Sequence, residues 1–262
     1  MYFRRHNRPA ARAPSTADAL PAGGCSPRYA IYYAPEPASG WWRFGCAWLG
    51  RDAITGAGME PPEVQGVAAE EIARWTEGAR RYGWHATLKA PFRLAPPYTA
   101  ADLYEEAAQA AAALPRAEFG ALELAEIGSF VALRLASARP AVDAVACECT
   151  RRFDHLRAPA TAQELAKRLD AGLTPRQQQI LRRWGHPYSM EEFRFHLTLT
   201  DPLGAAERSR VIAALAPHVA GLQASPLRLD ALCIFRQPSP GASFALLRRY
   251  GFDGNVEIYG NE

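Results

Sequence analysis

Apolar positions recur along the chain with two periods, about 2 and about 3.6 residues, and divide it into alternating strands and helices. Arg28-Tyr-Ala-Ile-Tyr-Tyr-Ala34 is aromatic and β-branched and stops at Pro35, which predicts a strand. Residues 40–50, with Trp41, Trp42, Phe44 and Trp48, read as a packed short helix or irregular segment, 64–81 as a helix ended by Gly83, and 84–90 as a strand stopped by Pro91. Thr99-Ala-Ala-Asp102 has the form of a capping box, with Asp in place of Glu, at the head of an alanine-rich helix that Pro115 ends. Runs 121–127 and 130–135 form a hairpin pattern around Gly128-Ser129, and 141–156 returns to helix. Residues 161–185 read as a helical pair, the second member opened by Thr174-Pro175. A strand over 193–200, a helix over 205–219, and strands over 227–235 and 244–249 around the turn 238–241 complete the pattern.

Strand–helix–hairpin thus occurs twice, which points to an internal duplication. The expected fold is α+β and bilobal: two antiparallel sheets flanking a central groove, helices outside, lobes related by a pseudo-two-fold axis. Residues 28–262 would form this single domain, with a helical insertion near 157–190.

The two copies share a local signature. Tyr82-Gly-Trp-His85-Ala-Thr87-Leu-Lys89-Ala-Pro91 and Phe193-Arg-Phe-His196-Leu-Thr198-Leu-Thr200-Asp-Pro202 both carry an aromatic before His, Thr two residues after it, Leu three after and Pro six after. With 10 Thr in 262 residues, the six His would show about 0.2 such His-x-Thr pairs by composition, before Pro is required. In a strand, residues i and i+2 share a face. His85, Thr87 and Lys89 are therefore expected on one polar face, and His196, Thr198 and Thr200 on another. The intervening Trp84, Ala86, Leu88, Phe195, Leu197 and Leu199 are apolar and suit burial. Two imidazoles facing one groove can serve as general base and general acid, hydroxyls can donate to phosphate oxygens, and an ammonium can neutralise charge developing there. Arg194, two residues before His196, is a further candidate phosphate contact. Tyr32 and Arg236 are candidate groove residues. His6, His155, His186 and His218 lie outside any motif and read as structural or surface groups. The clustered Trp41, Trp42 and Trp48 read as core in preference to base-stacking platforms.

Composition narrows the partners. The 30 basic and 27 acidic residues leave +3, too little to predict nucleic acid or an anionic membrane as the main partner. Only Lys89 and Lys167 are lysines, the remaining cations being arginine, which draws attention to Lys89 beside His85. The five cysteines are scattered, and Cys147-x-Cys149 lacks zinc-knuckle spacing, so free thiols in a reducing cytoplasm are expected. No apolar run reaches the roughly 18 residues of a membrane span. Residues 1–27 lack the apolar core of a secretory signal and read as a tail or an over-extended start. No metal or cofactor is called for.

The paired His-x-Thr motifs, about a hundred residues apart, resemble the 2H phosphodiesterase superfamily, which includes 2′-5′ RNA ligase-like proteins and cyclic nucleotide phosphodiesterases. The frames Arg28–Pro35, Arg81–Lys89, Glu192–Thr200 and Phe235-Arg-Gln-Pro238 resemble more closely a branch called phosphonate metabolism proteins, encoded near carbon–phosphorus lyase genes. The resemblance runs from Arg28 to the C-terminus. It implies the bilobal fold, catalytic His85 and His196, phosphate-binding Thr87 and Thr198, and hydrolysis of a small cyclic phosphate such as a ribosyl cyclic phosphate. Two alternatives stand beside it: an RNA end-processing 2′,3′-cyclic phosphodiesterase or 2′-5′ ligase-like enzyme, and a non-catalytic module that binds a phosphorylated metabolite.

Overall fold

The computed structural model describes residues 26–170 and 172–260. The expectation for residues 1–27 lies outside them but for its last two positions. In chain order, β1 (Arg28–Tyr33) is followed by α1 (Gly40–Leu49), a regular helix capped by the Ser39 hydroxyl and closed by Gly50 at φ 74°. The single helix expected over 64–81 is instead two, α2 (Ala69–Trp75) and α3 (Glu77–Tyr82). Thr76 makes the break, donating its hydroxyl back to the Ile72 carbonyl at 2.9 Å. The Asp201 carboxylate then accepts from the amides of Gly78 and Ala79 at 2.5 and 2.8 Å, capping α3 from the far end of the sequence.

There follow β2 (Ala86–Phe92), α4 (Ala100–Ala113) with both halves of the Thr99–Asp102 capping box formed, and β3 (Ala117–Glu118). The hairpin β4 (Leu122–Ile127) and β5 (Phe130–Leu135) turns at Gly128, φ 59°. Next come α5 (Pro140–Arg152), α6 (Ala162–Leu169) and α7 (Pro175–Trp184), α6 capped by Thr161, where the expected helical pair begins, and α7 by the expected Thr174. A 3₁₀ turn over Met190–Glu192 leads into β6 (His196–Thr198), which is three residues long rather than eight. Leu199 and Thr200 both donate their amides to the one carbonyl of Val131, at 2.9 and 3.2 Å, and this bulge ends the ladder. The chain closes with α8 (Ala205–Leu222), which runs through Pro217, then β7 (Arg228–Leu229), β8 (Ala231–Gln237), β9 (Ala245–Gly251) and β10 (Val256–Ile258).

The strands form a five-stranded antiparallel sheet in the order β10-β9-β8-β1-β2, a three-stranded one in the order β4-β5-β6, and the pair β3-β7. The two halves of the sequence do not build separate sheets. The hairpin that follows β2 pairs with β6, and the hairpin that follows β6 pairs with β1. Each motif strand, β2 and β6, is consequently the edge strand of its sheet, and the two edges touch. One apolar core unites the elements, with Trp41, Trp48, Trp75 and Trp84 fully buried. The Trp48 indole donates to the Leu199 carbonyl at 2.7 Å and ties α1 to the end of the second motif. Among the described residues no helix is long and apolar enough to cross a membrane, and Cys46, Cys147, Cys149 and Cys233 are free.

Candidate active site

His85 and His196 are held in the same way. Each ring nitrogen Nδ1 lies against the carbonyl two residues earlier: Gly83 at 2.9 Å for His85, Arg194 at 2.8 Å for His196. A carbonyl only accepts, so Nδ1 carries the proton in both rings and Nε2 is left as the free base. The Thr87 hydroxyl stands 3.4 Å from His85 Nε2. The imidazole of His85 is stacked on Tyr32, with centroids 3.7 Å apart and planes 21° apart, and Phe235 closes the stack at 5.1 Å from Tyr32. Burial pushes the His85 pKa down to about 4; the Gly83 carbonyl opposes the shift and the nearby His196 adds to it. Burial also lowers His196, against the Arg194 carbonyl. Both rings are thus neutral near pH 7.

A cavity of about 880 Å³ opens beside these motifs, walled by Tyr32, His85, Thr87, Thr198 and Thr200 among others. His196 stands at its margin, with its ring 5.8 Å from that of Phe130, a wall residue. Thr200 is buried and its hydroxyl accepts the Val131 amide at 3.0 Å, so its place in the wall is structural.

Three expected groove residues are elsewhere. Lys89 is buried: its Nζ donates to the Thr150 carbonyl at 3.0 Å and pairs with Asp154 at 3.4 Å. The cause is a bulge in β2. Tyr32 faces Thr87 and Ile31 faces Lys89, so one step on β1 matches two on β2, and the inward-outward alternation flips at Leu88. Ala90 rather than Lys89 therefore meets the cavity. Burial lowers the Lys89 pKa to about 8, Asp154 opposing the shift. Arg194 bends back onto the carbonyls of Glu191 and Phe193, at 3.0 and 2.6 Å, and is absent from the cavity wall. Arg236 pairs across the ladder with Tyr29, on the sheet face opposite Tyr32 and Phe235, and does not line the cavity either.

The insertion supplies what the motifs do not. α6 and the segment after α7 bring Lys167, Arg168, His186 and Tyr188 to the cavity, so that the second lysine, not Lys89, reaches it. His186 read as a structural or surface group because it has no motif. It is held nearly as far from protonation as His85, its pKa lowered to about 4 by burial, then by Arg168 and His196. Arg28 at the start of β1 adds a third cation, its Nε donating to Gln237 at 2.7 Å. Of the two acidic wall residues, Glu164 is gripped by both ends of the Arg93 guanidinium, at 2.6 and 2.8 Å, and Asp201 caps α3. The cavity therefore carries a surplus of positive charge around neutral imidazoles. Among the described residues no three His, Cys, Asp or Glu gather as a metal site.

Residues 87–245, more than half of the chain, match the family described as "Protein of unknown function (DUF1045)". The chain belongs to this family. The family stretch takes in Thr87, the insertion, His196 and Thr198 and begins two residues after His85. Two curated relatives bear the name ribose 1,5-bisphosphate phosphokinase PhnN. One, from Janthinobacterium sp. (strain Marseille), is 38% identical over 234 residues, which are 88% of this chain and 52% of that protein. The other, from Laribacter hongkongensis (strain HLHK9), is 39% identical over 223 residues, 84% of this chain and 51% of that protein. The chain spans about half the length of these relatives.

Proposed function

We propose that the chain hydrolyses a small cyclic phosphate diester, a ribosyl one, by metal-independent general acid–base catalysis with His85 and His196. The observation that carries this reading is the matched fixing of the two imidazoles, each with Nδ1 bound to its own backbone and Nε2 free, at the heads of the touching edge strands β2 and β6, His85 one residue before β2 and His196 the first residue of β6. His85 is the base. Its low pKa and the Thr87 hydroxyl beside Nε2 suit an unprotonated acceptor. It takes a proton from water as the water oxygen bonds to phosphorus in line with the departing ester oxygen. His196 is the acid, and binding of the anionic diester raises its pKa so that it enters the reaction protonated. It gives its proton to the leaving oxygen, which becomes a free hydroxyl while the product keeps a phosphomonoester. The Thr87 and Thr198 hydroxyls donate to the non-bridging oxygens.

The resemblance to phosphonate metabolism proteins and the phosphorylated ribose in the relatives' name support a ribosyl substrate. The phosphorylation in that name is not assigned to these residues. A nucleotide-phosphate loop of the Gly-Lys-Ser/Thr kind needs its lysine after glycine, whereas Lys89 lies in Leu-Lys-Ala and Lys167 in Ala-Lys-Arg. The test is a panel of ribose 1,2-cyclic phosphate, 2′,3′-cyclic nucleotides, ADP-ribose cyclic phosphate and 2′-5′ dinucleotides, followed by ³¹P NMR in EDTA. Ring opening of a small cyclic phosphate is expected. Turnover confined to RNA ends or 2′-5′ linkages would favour the RNA-processing alternative, and tight binding without turnover would favour a binding module.

A further inference from the structure

The insertion wall has a feature that the two-histidine chemistry leaves unused. Lys167 and Arg168 at the end of α6 and His186 after α7 line the cavity that also holds His85 and Thr198. Neither Lys167 nor Arg168 forms an ion pair among the described residues, although Arg157 and Arg183 nearby both pair with Asp154. One guanidinium nitrogen of Arg168 donates to the Gly185 carbonyl at 2.7 Å, which fixes the group just before His186 and leaves its other N–H donors available. His186 is half-buried and flanked by the Tyr188 ring, with centroids 5.7 Å apart. The Arg93 clamp on Glu164 removes the carboxylate that would otherwise reach Lys167 across one turn of α6. An ammonium and a guanidinium meeting at one wall can donate to the oxygens of a terminal phosphoryl group, and His186, whose single ring N–H is given to the Tyr188 backbone, joins them as a donor once a bound dianion raises its pKa and protonates its other nitrogen. The volume of the cavity, about 880 Å³, lies toward the upper end for small-molecule sites and is ample for more than one cyclic phosphate ring.

We infer that Lys167, Arg168 and His186 form a second anion subsite, and that the substrate is a cyclic phosphate bearing a separate phosphoryl group which this subsite binds. The inference rests on reading the cavity as a cyclic-phosphate site. The insertion then sets substrate choice, while the motif strands perform the chemistry.

The experiment compares cytidine 2′,3′-cyclic phosphate with its 5′-phosphorylated form. Affinities are measured by calorimetry on the full chain carrying His196→Asn, in which turnover is expected to be slowed by about 10²–10⁴-fold, and kcat/KM is measured on the wild type. The 5′-phosphorylated compound is expected to bind at least about tenfold more tightly. Lys167→Met and, separately, Arg168→Gln should each shrink that ratio severalfold. Lys167→Met is the safer fold control, because Lys167 is exposed and makes no ion pair among the described residues. Equal affinity for the two compounds, no binding of either, or an unchanged ratio in both variants would overturn the subsite. If the affinity ratio appears but the wild type opens neither ring, the subsite stands and the phosphodiesterase reading fails.

Discussion

An imidazole whose Nδ1 is bound to its own backbone has one reactive nitrogen and one orientation, and the chain builds this twice from the same local geometry. The repeated His-x-Thr singled out His85, Thr87, His196 and Thr198 in the sequence, because a repeat is a signal that chance seldom supplies. Lys167 and His186 gave no such signal: each occurs once, on an insertion whose path composition does not reveal. Lys89 misled because a bulge leaves no mark in the residue pattern, and one extra residue turns a side chain from groove to core. Lys89→Met should change kcat/KM by less than about threefold while destabilising the fold by about 1–3 kcal/mol, since the Thr150 carbonyl loses its donor; paired kinetic and urea-unfolding measurements check this. A pH effect follows from His85 and His186, both lowered to about 4 from 6.5. Between these values the unfolded chain binds more protons than the folded one, so stability rises with pH across that window and levels off above it. The melting temperature should fall as pH drops from 7 to 5, and the fall should be shallower in His186→Asn.

At the scale of elements, caps were the most readable feature. Thr99, Thr161 and Thr174 open helices where the sequence places them, because a cap is a local bond between residues three apart. The break between α2 and α3 was not readable, since its cap comes from Asp201, 122 and 123 residues away in sequence. Asp201→Ala should lower stability by about 0.5–2 kcal/mol in denaturant titration, the range for a lost N-terminal cap. The segment carrying His85, just ahead of β2, is seated through Trp84, whose buried indole lies against Gly45 of α1; a Cβ at Gly45 would overlap that ring. Gly45→Ala should therefore destabilise by about 1–3 kcal/mol and reduce hydrolysis along with it, read by unfolding and by rate.

For the whole molecule, the element order in the sequence was a sound guide to strands, helices and the α+β class, but not to which strands pair. Both hairpins cross to the other half's motif strand or its neighbour, a choice made by long-range packing that no window of residues contains. The exchange interlocks the halves over one core. Unfolding should accordingly be a single cooperative transition in which circular dichroism and tryptophan fluorescence coincide; two separated transitions would mean that the sheets are independent. The exchange also sets the two motif edges side by side, and the insertion walls the cavity beside them. The chemistry proposed for the cavity depends on His85 as base and His196 as acid. The most direct measurement is kcat/KM against pH for the wild type, His85→Asn and His196→Asn on a cyclic phosphate that the wild type opens. A bell-shaped wild-type profile is predicted, with losses of about 10²–10⁴-fold in each variant, the acidic limb missing in His85→Asn and the alkaline limb missing in His196→Asn. Wild-type rates with an unchanged bell in either variant would contradict it.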